Sequence, residues 1–272
     1  MHLCTDTGSM RVLLIGDIVG GPGREAVRRI VPELRKDRGI DFVVGNAENI
    51  AGGSGLTPDT ADELLNSQVD VLTAGDHVWK KKQIYERLNR DRRILRPANY
   101  PESCPGVGAA VIKSSSCKMV GIVDLVGRVF MDHIDCPFRT AEKEIAKINK
   151  DTRIILVDIH AEATSEKIAL GRFLDGRVSV IFGTHTHVQT ADEKILPRGS
   201  GYITDLGMTG AHDSVIGRKA EAIIEHFLTA MPAKFDMADK DVELQGMIVD
   251  IDEMTGRALS IERVRKKIED YI

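Results

Sequence analysis

The chain has 272 residues, enough for one large domain or two small ones, and its 42% hydrophobic and 29% charged residues are ordinary for a globular protein. A formal charge of −4 gives no support to a broad face that binds nucleic acid or lipid. No apolar run approaches the roughly 18 to 20 residues of a membrane helix.

The N-terminal residues and the cysteines indicate where the protein works. Residues 1–9 lack the basic start and apolar segment of a secretion signal, so we predict a frayed extension before a strand that begins at Met10. The four cysteines are Cys4, Cys104, Cys117 and Cys136. Their scatter, without a Cys-x-x-Cys pair, argues against a zinc ribbon or disulfide scaffold and predicts reduced, mostly buried thiols in a cytoplasmic protein.

Strands and helices alternate through the first third of the chain. The predicted elements are a strand at 11–17, a helix at 24–37, a strand at 41–49, a helix at 56–67, a strand at 70–77 and a helix at 80–90. Thr57 is predicted as the N-cap of the second helix, with Pro58 at its first position. This alternation predicts a parallel sheet with helices packed on it.

The remaining elements predict a second sheet. Residues 106–113 and 118–127 are predicted as an antiparallel hairpin, and residues 243–252 and 257–266 as another. Between them lie a helix at 139–150, a strand at 153–160, a helix at 164–174, a strand at 177–187 and a helix at 217–230. We therefore expect one α/β domain over residues 10–272, with two sheets and the helices outside them.

Residues that can bind metals follow several of the predicted strands. They are Asp17, Glu48, Asn49, Asp76, His77, His160, His185 and His187. In an open α/β sheet, ligands bind at the carboxyl ends of the strands, so these residues should converge. Two or more carboxylates, an amide and several imidazoles suit borderline divalent metals. The set exceeds what one tetrahedral site needs, which predicts two ions sharing a bridging carboxylate.

Each of these residues also has an ordinary structural explanation. Asp17 could cap the following helix, and Glu48 with Asn49 could be turn residues before a glycine-rich loop. The histidines could be turn or core residues, and His185 and His187 would share one side only in an extended segment. Their joint occurrence at strand ends favours metal or catalytic chemistry.

One competing motif lies after the first strand. Gly21, Gly23 and Ala26 match the spacing of a dinucleotide-binding fingerprint between a strand and a helix. The strand ends at Asp17, which leaves a loop longer than the tight turn of that fingerprint. This interpretation also leaves the strand-end histidines unexplained, so we expect no nicotinamide cofactor.

Seven segments carry a resemblance to a known family. They are GDIVGGPGR, NAENIAGGSGLT, GDHVW, RPANYP, DIHAEATSEK, GTHTHVQTAD and ITDLGMTG, in order from about residue 11 to about residue 215. In these segments the chain resembles the YmdB-like branch of the calcineurin-type metallophosphoesterases. The resemblance implies a four-layer α/β/β/α sandwich and a homo-oligomer. It also implies a two-metal phosphodiesterase for small phosphodiesters, with 2′,3′-cyclic nucleotides as the usual substrate.

The resemblance also implies a role for each site residue. One metal ion would be held by Asp17, Glu48, Asn49 and His187, and the other by Glu48, Asp76, His160 and His185, so that Glu48 bridges them. Mn, Fe or Mg is expected, and Zn also accepts such ligands. A hydroxide between the ions would attack phosphorus, and His77 would protonate the leaving alkoxide as general acid.

The sequence departs from the family pattern at two positions. The first strand end reads Asp17-Ile18-Val19, without the histidine of the wider superfamily, and Asn49 takes that ligand place in this branch. Asp76 stands where the family usually has Asn, and its extra negative charge would disfavour an anionic substrate. A metal-binding regulatory or RNA-associated protein with weak catalysis is therefore the alternative function.

Overall fold

The structure, a computed structural model, describes residues 8–271. Within that range the strands are β1 (Ser9–Ile15), β2 (Asp17–Ile18), β3 (Phe42–Asn46), β4 (Val71–Thr73), β5 (Ala109–Lys113), β6 (Met119–Val126), β7 (Ile155–His160), β8 (Val180–Thr184), β9 (Lys194–Ile195), β10 (Gly201–Ile203), β11 (Met208–Ala211), β12 (Val242–Asp252) and β13 (Ala258–Lys267). The helices are α1 (Gly20–Arg38), α2 (Pro58–Asn66), α3 (Ile84–Arg90), α4 (Pro137–Ile148), α5 (Thr164–Leu174) and α6 (Ala220–Thr229). Two 3₁₀ helices cover Asp76–Lys80 and Ile268–Tyr271. The predicted extension, residues 1–9, lies outside the described residues apart from Gly8 and Ser9, and Ser9 already belongs to β1.

The strands form two mixed sheets, which confirms the predicted α/β class. The first sheet has the order β2-β11-β12-β1-β3-β4, with β13 paired along the other edge of β12. The second has the order β5-β6-β7-β8-β10-β9. β1, β3 and β4 run parallel in one sheet, and β6, β7, β8 and β10 run parallel in the other. The predicted hairpins are also present, as β5 with β6 and β12 with β13.

Alternating side chains of the strands fill separate cores. Val12 and Leu14 of β1 join Leu156 of β7 and Phe182 of β8 in a cluster that both sheets share. The neighbouring β1 residue Leu13 instead packs with α1, α2 and α3 on the other face of the first sheet. A third cluster joins the second sheet to α4 and α5. Each sheet is therefore apolar on both faces, as expected for strands covered on both sides.

Local signals account for the start of α2 and the end of α1. Thr57 is the N-cap of α2, its side chain accepts a hydrogen bond from the backbone of Thr60, and Pro58 occupies the first turn. These are the positions that the sequence predicts. α1 instead begins at Gly20, four residues before the predicted start, and it ends at Arg38, followed by the C-cap Gly39, whose left-handed backbone suits glycine.

The first predicted strand divides in two at Gly16. β1 ends at Ile15, and Asp17–Ile18 pair with β11 as a separate short strand. A Cβ on Gly16 would lie only 2.1 Å from the carbonyl oxygen of Gly207, so the close crossing of the two backbones requires glycine. This crossing places Asp17 beside the segment that follows β10.

The cysteine prediction is wrong in one respect. Cys104, Cys117 and Cys136, the three cysteines among residues 8–271, are unpaired, but none of them is buried. Cys117 lies in the β5–β6 turn with a positive φ of 66°, and Cys136 precedes α4. They occupy turns and helix ends and so cannot act as core residues. No helix in the described range is long and apolar enough to cross a membrane.

Candidate metal centre

The predicted site residues meet where parallel strands of both sheets end. The contributors are Asp17 in β2, Glu48 and Asn49 after β3, Asp76 and His77 after β4, His160 at the end of β7, and His185 and His187 after β8. Hydrogen bonds and close ionic contacts link all eight into one network. The two sheets thus bring together residues that are up to 170 positions apart, Asp17 and His187.

Glu48 is the buried centre of this network. Its Oε1 accepts a 2.8 Å hydrogen bond from Nδ2 of Asn49 and lies 3.3 Å from Nδ1 of His77. Its Oε2 lies 3.1 Å from Nε2 of His160. Burial would raise the pKa of Glu48, but His160 and His77 hold that pKa well below its usual range. The two oxygens therefore face different side chains of the cluster.

Residues behind His160 fix the orientation of its ring. The hydroxyl of Thr184 donates to Oδ1 of Asp158 at 2.8 Å, so its oxygen can accept from Nδ1 of His160 at 2.9 Å. Asp158 also accepts bonds from Thr73 and Asn46. With its Nδ1 engaged, His160 presents Nε2 to the cluster, which is the usual way in which outer partners orient a metal-binding histidine.

His185 and Asp76 complete the cluster around Nε2 of His160. Nδ1 of His185 lies 2.9 Å from that nitrogen, and Oδ1 of Asp76 lies 3.4 Å from it. One ligand atom from each of four residues, Glu48, Asp76, His160 and His185, lies within 4.8 Å of all the others. Burial lowers the pKa of His185, which favours the neutral imidazole that a metal requires.

The backbone around His185 and His187 is not the extended segment that the strand prediction assumed. β8 ends at Thr184, and φ is 98° at His185 and 64° at His187. Non-glycine residues rarely adopt positive φ, so the surrounding contacts must hold this conformation. The bend separates the two imidazoles, and His185 faces His160 while His187 faces Asp17.

Asp17, Asn49 and His187 form the second part of the site. Nε2 of His187 lies 3.7 Å from Oδ1 of Asp17 and 3.4 Å from Nδ2 of Asn49. Burial raises the pKa of Asp17 to about 7. The Asn49 amide presents nitrogen to His187 and oxygen to His77, and a half-turn of the amide would exchange these atoms.

His77 lies beside both parts of the site and is more accessible. Its side chain is 32% exposed, and its Nδ1 lies 2.8 Å from Oδ1 of Asn49. Its Nε2 lies 3.8 Å from Oδ2 of Asp76. The hydrogen bond with Glu48 raises the pKa of His77, which favours its protonated form. Both His77 and Asp76 lie in the 3₁₀ helix after β4.

The donor set fits divalent cations. Oδ1 of Asp17, Oδ1 of Asp76 and Nδ1 of His187 are buried atoms without a hydrogen-bond partner. Buried carboxylate oxygens without partners are costly, and a cation would remove that cost. Three carboxylates, one amide and three imidazoles are the mixed oxygen and nitrogen ligands that borderline metals prefer.

A buried ion pair supports the loop after β8, and the sequence reasoning missed it. Nζ of Lys167 donates to the carbonyl of Thr184 and to Oδ2 of Asp205, both at 2.7 Å. The same carboxylate oxygen accepts from the hydroxyl of Thr186 at 2.7 Å. Lys167 lies one turn before Leu170 on the buried face of α5. A charged residue at such a position needs a buried partner, and this signal in the sequence could have identified the pair.

The fingerprint glycines have a structural role. Both Gly21 and Gly23 lie within the first turn of α1, so they do not form a loop before it. A Cβ on Gly23 would lie 2.4 Å from the carbonyl oxygen of Thr209, so this glycine allows the helix to approach β11. A Cβ on Gly21 would meet nothing within 4 Å.

Comparisons with known proteins agree with this architecture. The family model described as YmdB-like protein matches residues 13–264. A 2′,3′-cyclic-nucleotide 2′-phosphodiesterase of Bacillus subtilis (strain 168) is 46% identical over 255 residues, which is 94% of this chain and 96% of that protein.

Two solved structures are similar over nearly their whole length. A hypothetical protein from Thermus thermophilus has a TM-score of 0.88 and 38% identity, covering 95% of this chain and 99% of that one. A Mycoplasma pneumoniae protein described as a novel phosphatase has a TM-score of 0.89 and 32% identity, covering 95% and 94%. The chain therefore belongs to the family of YmdB-like proteins.

Proposed function

We propose that the chain is a metal-dependent phosphodiesterase that hydrolyses small phosphodiesters such as 2′,3′-cyclic nucleotides. The observation that carries the proposal is the cluster of four ligand atoms within 4.8 Å, from Glu48, Asp76, His160 and His185. The activity named for the Bacillus subtilis relative, which is 46% identical, supports the substrate class.

Two divalent ions are proposed as cofactors, with Mn, Fe or Mg expected and Zn acceptable. One would be held by Glu48, Asp76, His160 and His185, and the other by Asp17, Glu48, Asn49 and His187. When bound, such ions supply positive charge that stabilises the phosphate in the transition state and makes water a better nucleophile. The lowered pKa of both His185 and His187, caused by burial, suits them to this role.

His77 is proposed as the general acid. Its Nδ1 is engaged with Oδ1 of Asn49 at 2.8 Å, which leaves Nε2 to deliver a proton to the leaving oxygen. General acid catalysis of this kind contributes roughly 10²- to 10⁴-fold in rate. The partial exposure of His77 allows it to regain that proton from solvent after each turnover.

Several broader expectations accompany this function. The cluster between the sheets and the two clusters under the helices support a four-layer α/β/β/α sandwich. The single domain over residues 10–272, the homo-oligomer and the cytoplasmic location stay predictions.

The test is hydrolysis of 2′,3′-cyclic AMP and bis-p-nitrophenyl phosphate with added Mn²⁺, together with metal analysis. We expect two ions per chain, and a His77→Ala variant that keeps both ions but turns over about 10²- to 10⁴-fold more slowly. If the wild-type chain binds two ions but turns over no faster than His77→Ala, the proposal that the chain is an enzyme is overturned. That result would favour a metal-binding regulatory or RNA-associated protein, the alternative that the extra charge of Asp76 supports.

A further inference from the structure

The two ring nitrogens of His185 have different neighbours. Nδ1 lies 2.9 Å from Nε2 of His160 and 3.8 Å from Oδ1 of Asp76, within the ligand cluster. Nε2 points away from the cluster and lies 3.2 Å from Oε2 of Glu162. His185 therefore presents Nδ1 to the cluster, whereas His160 presents Nε2.

Glu162 is not one of the cluster residues. It lies in the short turn between His160, which ends β7, and Thr164, which begins α5, and its side chain is 50% exposed. Among residues 8–271, His185 is the only group with which the Glu162 carboxylate forms a hydrogen bond or ion pair. The carboxylate thus has no second role in the described structure that would explain its position.

A carboxylate at Nε2 determines which nitrogen of His185 carries the proton. An ionised carboxylate only accepts hydrogen bonds, so Nε2 must keep its proton to interact with Glu162. The lone pair then remains on Nδ1, which faces Asp76 and His160. For His160 the hydroxyl of Thr184 has the corresponding role, so each imidazole has its own partner outside the cluster.

The backbone of His185 is held separately from its ring. Its N–H donates to Oδ2 of Asp17 at 2.9 Å, and its φ of 98° is unusual for a residue with a side chain. This hydrogen bond fixes the main chain, whereas the ring contacts His160 on one side and Glu162 on the other. The contact with Glu162 restrains the ring on the side away from the cluster.

We propose that Glu162 is a positioning residue, which holds the proton of His185 on Nε2 and so directs Nδ1 to the metal. This inference rests on the proposed metal centre. Glu162 would act through His185. Its replacement should therefore change the affinity for the ion held by Asp76, His160 and His185, and leave the affinity for the other ion largely unchanged.

The experiment measures Mn²⁺ binding by isothermal titration calorimetry in the full-length wild-type chain and in Glu162→Ala and Glu162→Gln variants. Glu225→Ala is the matched control, because Glu225 is an exposed glutamate whose side chain forms no described hydrogen bond or ion pair. We expect Glu162→Ala to lower the affinity for one of the two Mn²⁺ ions about 10- to 100-fold. Glu162→Gln should lie between Glu162→Ala and wild type, because the amide oxygen can still accept from Nε2 but carries no charge.

Turnover at increasing Mn²⁺ separates positioning from direct contact with substrate. If Glu162 acts through the metal, the kcat of Glu162→Ala should return to within about threefold of wild type once Mn²⁺ saturates the weakened site. Mn²⁺ affinities of Glu162→Ala within about twofold of the Glu225→Ala control would overturn the inference, and so would a kcat that stays low at saturating Mn²⁺. A wild-type chain that binds none of Mn²⁺, Fe²⁺, Mg²⁺ and Zn²⁺ would instead refute the proposed function itself.

Discussion

Replacement of Gly75 by alanine tests the packing of the candidate metal centre directly. A Cβ at this position would lie 2.3 Å from Oε2 of Glu48 and 2.4 Å from Nε2 of His160, whereas ordinary van der Waals contacts begin at 3.4 Å. The φ of Gly75 is −150°, which other residues adopt, so the obstacle is steric. Both Glu48 and His160, or the backbone of Gly75 itself, must therefore shift by about 1 Å, at a cost of roughly 1–3 kcal/mol in the free energy of unfolding.

The functional loss should exceed the loss of stability. A displacement of about 1 Å in a catalytic arrangement can reduce the rate about 10²-fold. Urea denaturation measures the first effect, and Mn²⁺ titration with bis-p-nitrophenyl phosphate hydrolysis measures the second. Gly21→Ala is the control, since its Cβ would meet nothing within 4 Å. If Gly75→Ala bound Mn²⁺ and turned over like Gly21→Ala, the proposed arrangement of Glu48 and His160 would be refuted.

Three further substitutions test charge and hydrogen bonding around the site. Asp76→Asn removes one negative charge at constant shape, so turnover of bis-p-nitrophenyl phosphate should be kept or raised and KM lowered; complete loss would contradict this. Thr184→Val removes the hydroxyl that His160 and Asp158 share, which should weaken Mn²⁺ binding about 10- to 100-fold and lower the unfolding free energy by about 1–3 kcal/mol. Thr184→Ser keeps the hydroxyl and should retain both the Mn²⁺ affinity and the stability. Burial, together with Asp158, holds the pKa of Asp124 well above its ordinary value of 3.8. The folded chain then keeps a proton that the unfolded chain releases, so wild-type stability falls as pH rises above 3.8 towards the raised pKa. The change in urea midpoint between about pH 5 and about pH 8 should be smaller in Asp124→Asn than in wild type. An equal change in both proteins would exclude the Asp124 carboxyl as the cause of the pH dependence.

Local patterns were sufficient to predict most of the fold. The order of strands and helices follows from apolar periodicity, and the start of α2 follows from Thr57 and Pro58, because capping depends on only a few neighbouring residues. Both hairpins were also predicted. The division of the first strand at Gly16 was not, because it depends on the approach of Gly207, which is 191 residues away in the chain.

The candidate site shows the same limit at the level of individual atoms. Strand ends rich in carboxylates and histidines were enough to predict which residues meet, since parallel strands direct their carboxyl ends to one edge. The contacts of Thr184 with His160 and Asp158, and of Glu162 with His185, were missed, because such a contact requires only that one polar atom reach one nitrogen of an imidazole ring. Nothing in the local sequence requires that contact.

The sequence by itself determined the residue types of the site, since carboxylates, an amide and imidazoles at successive strand ends define its chemistry. Only the tertiary structure decided how those residues are used. The two sheets bring distant strand ends together, and the bend after Thr184 sends His185 and His187 to different neighbours. Pattern can specify which groups are available, but ring orientation, proton position and steric clearance depend on contacts between residues far apart in the chain.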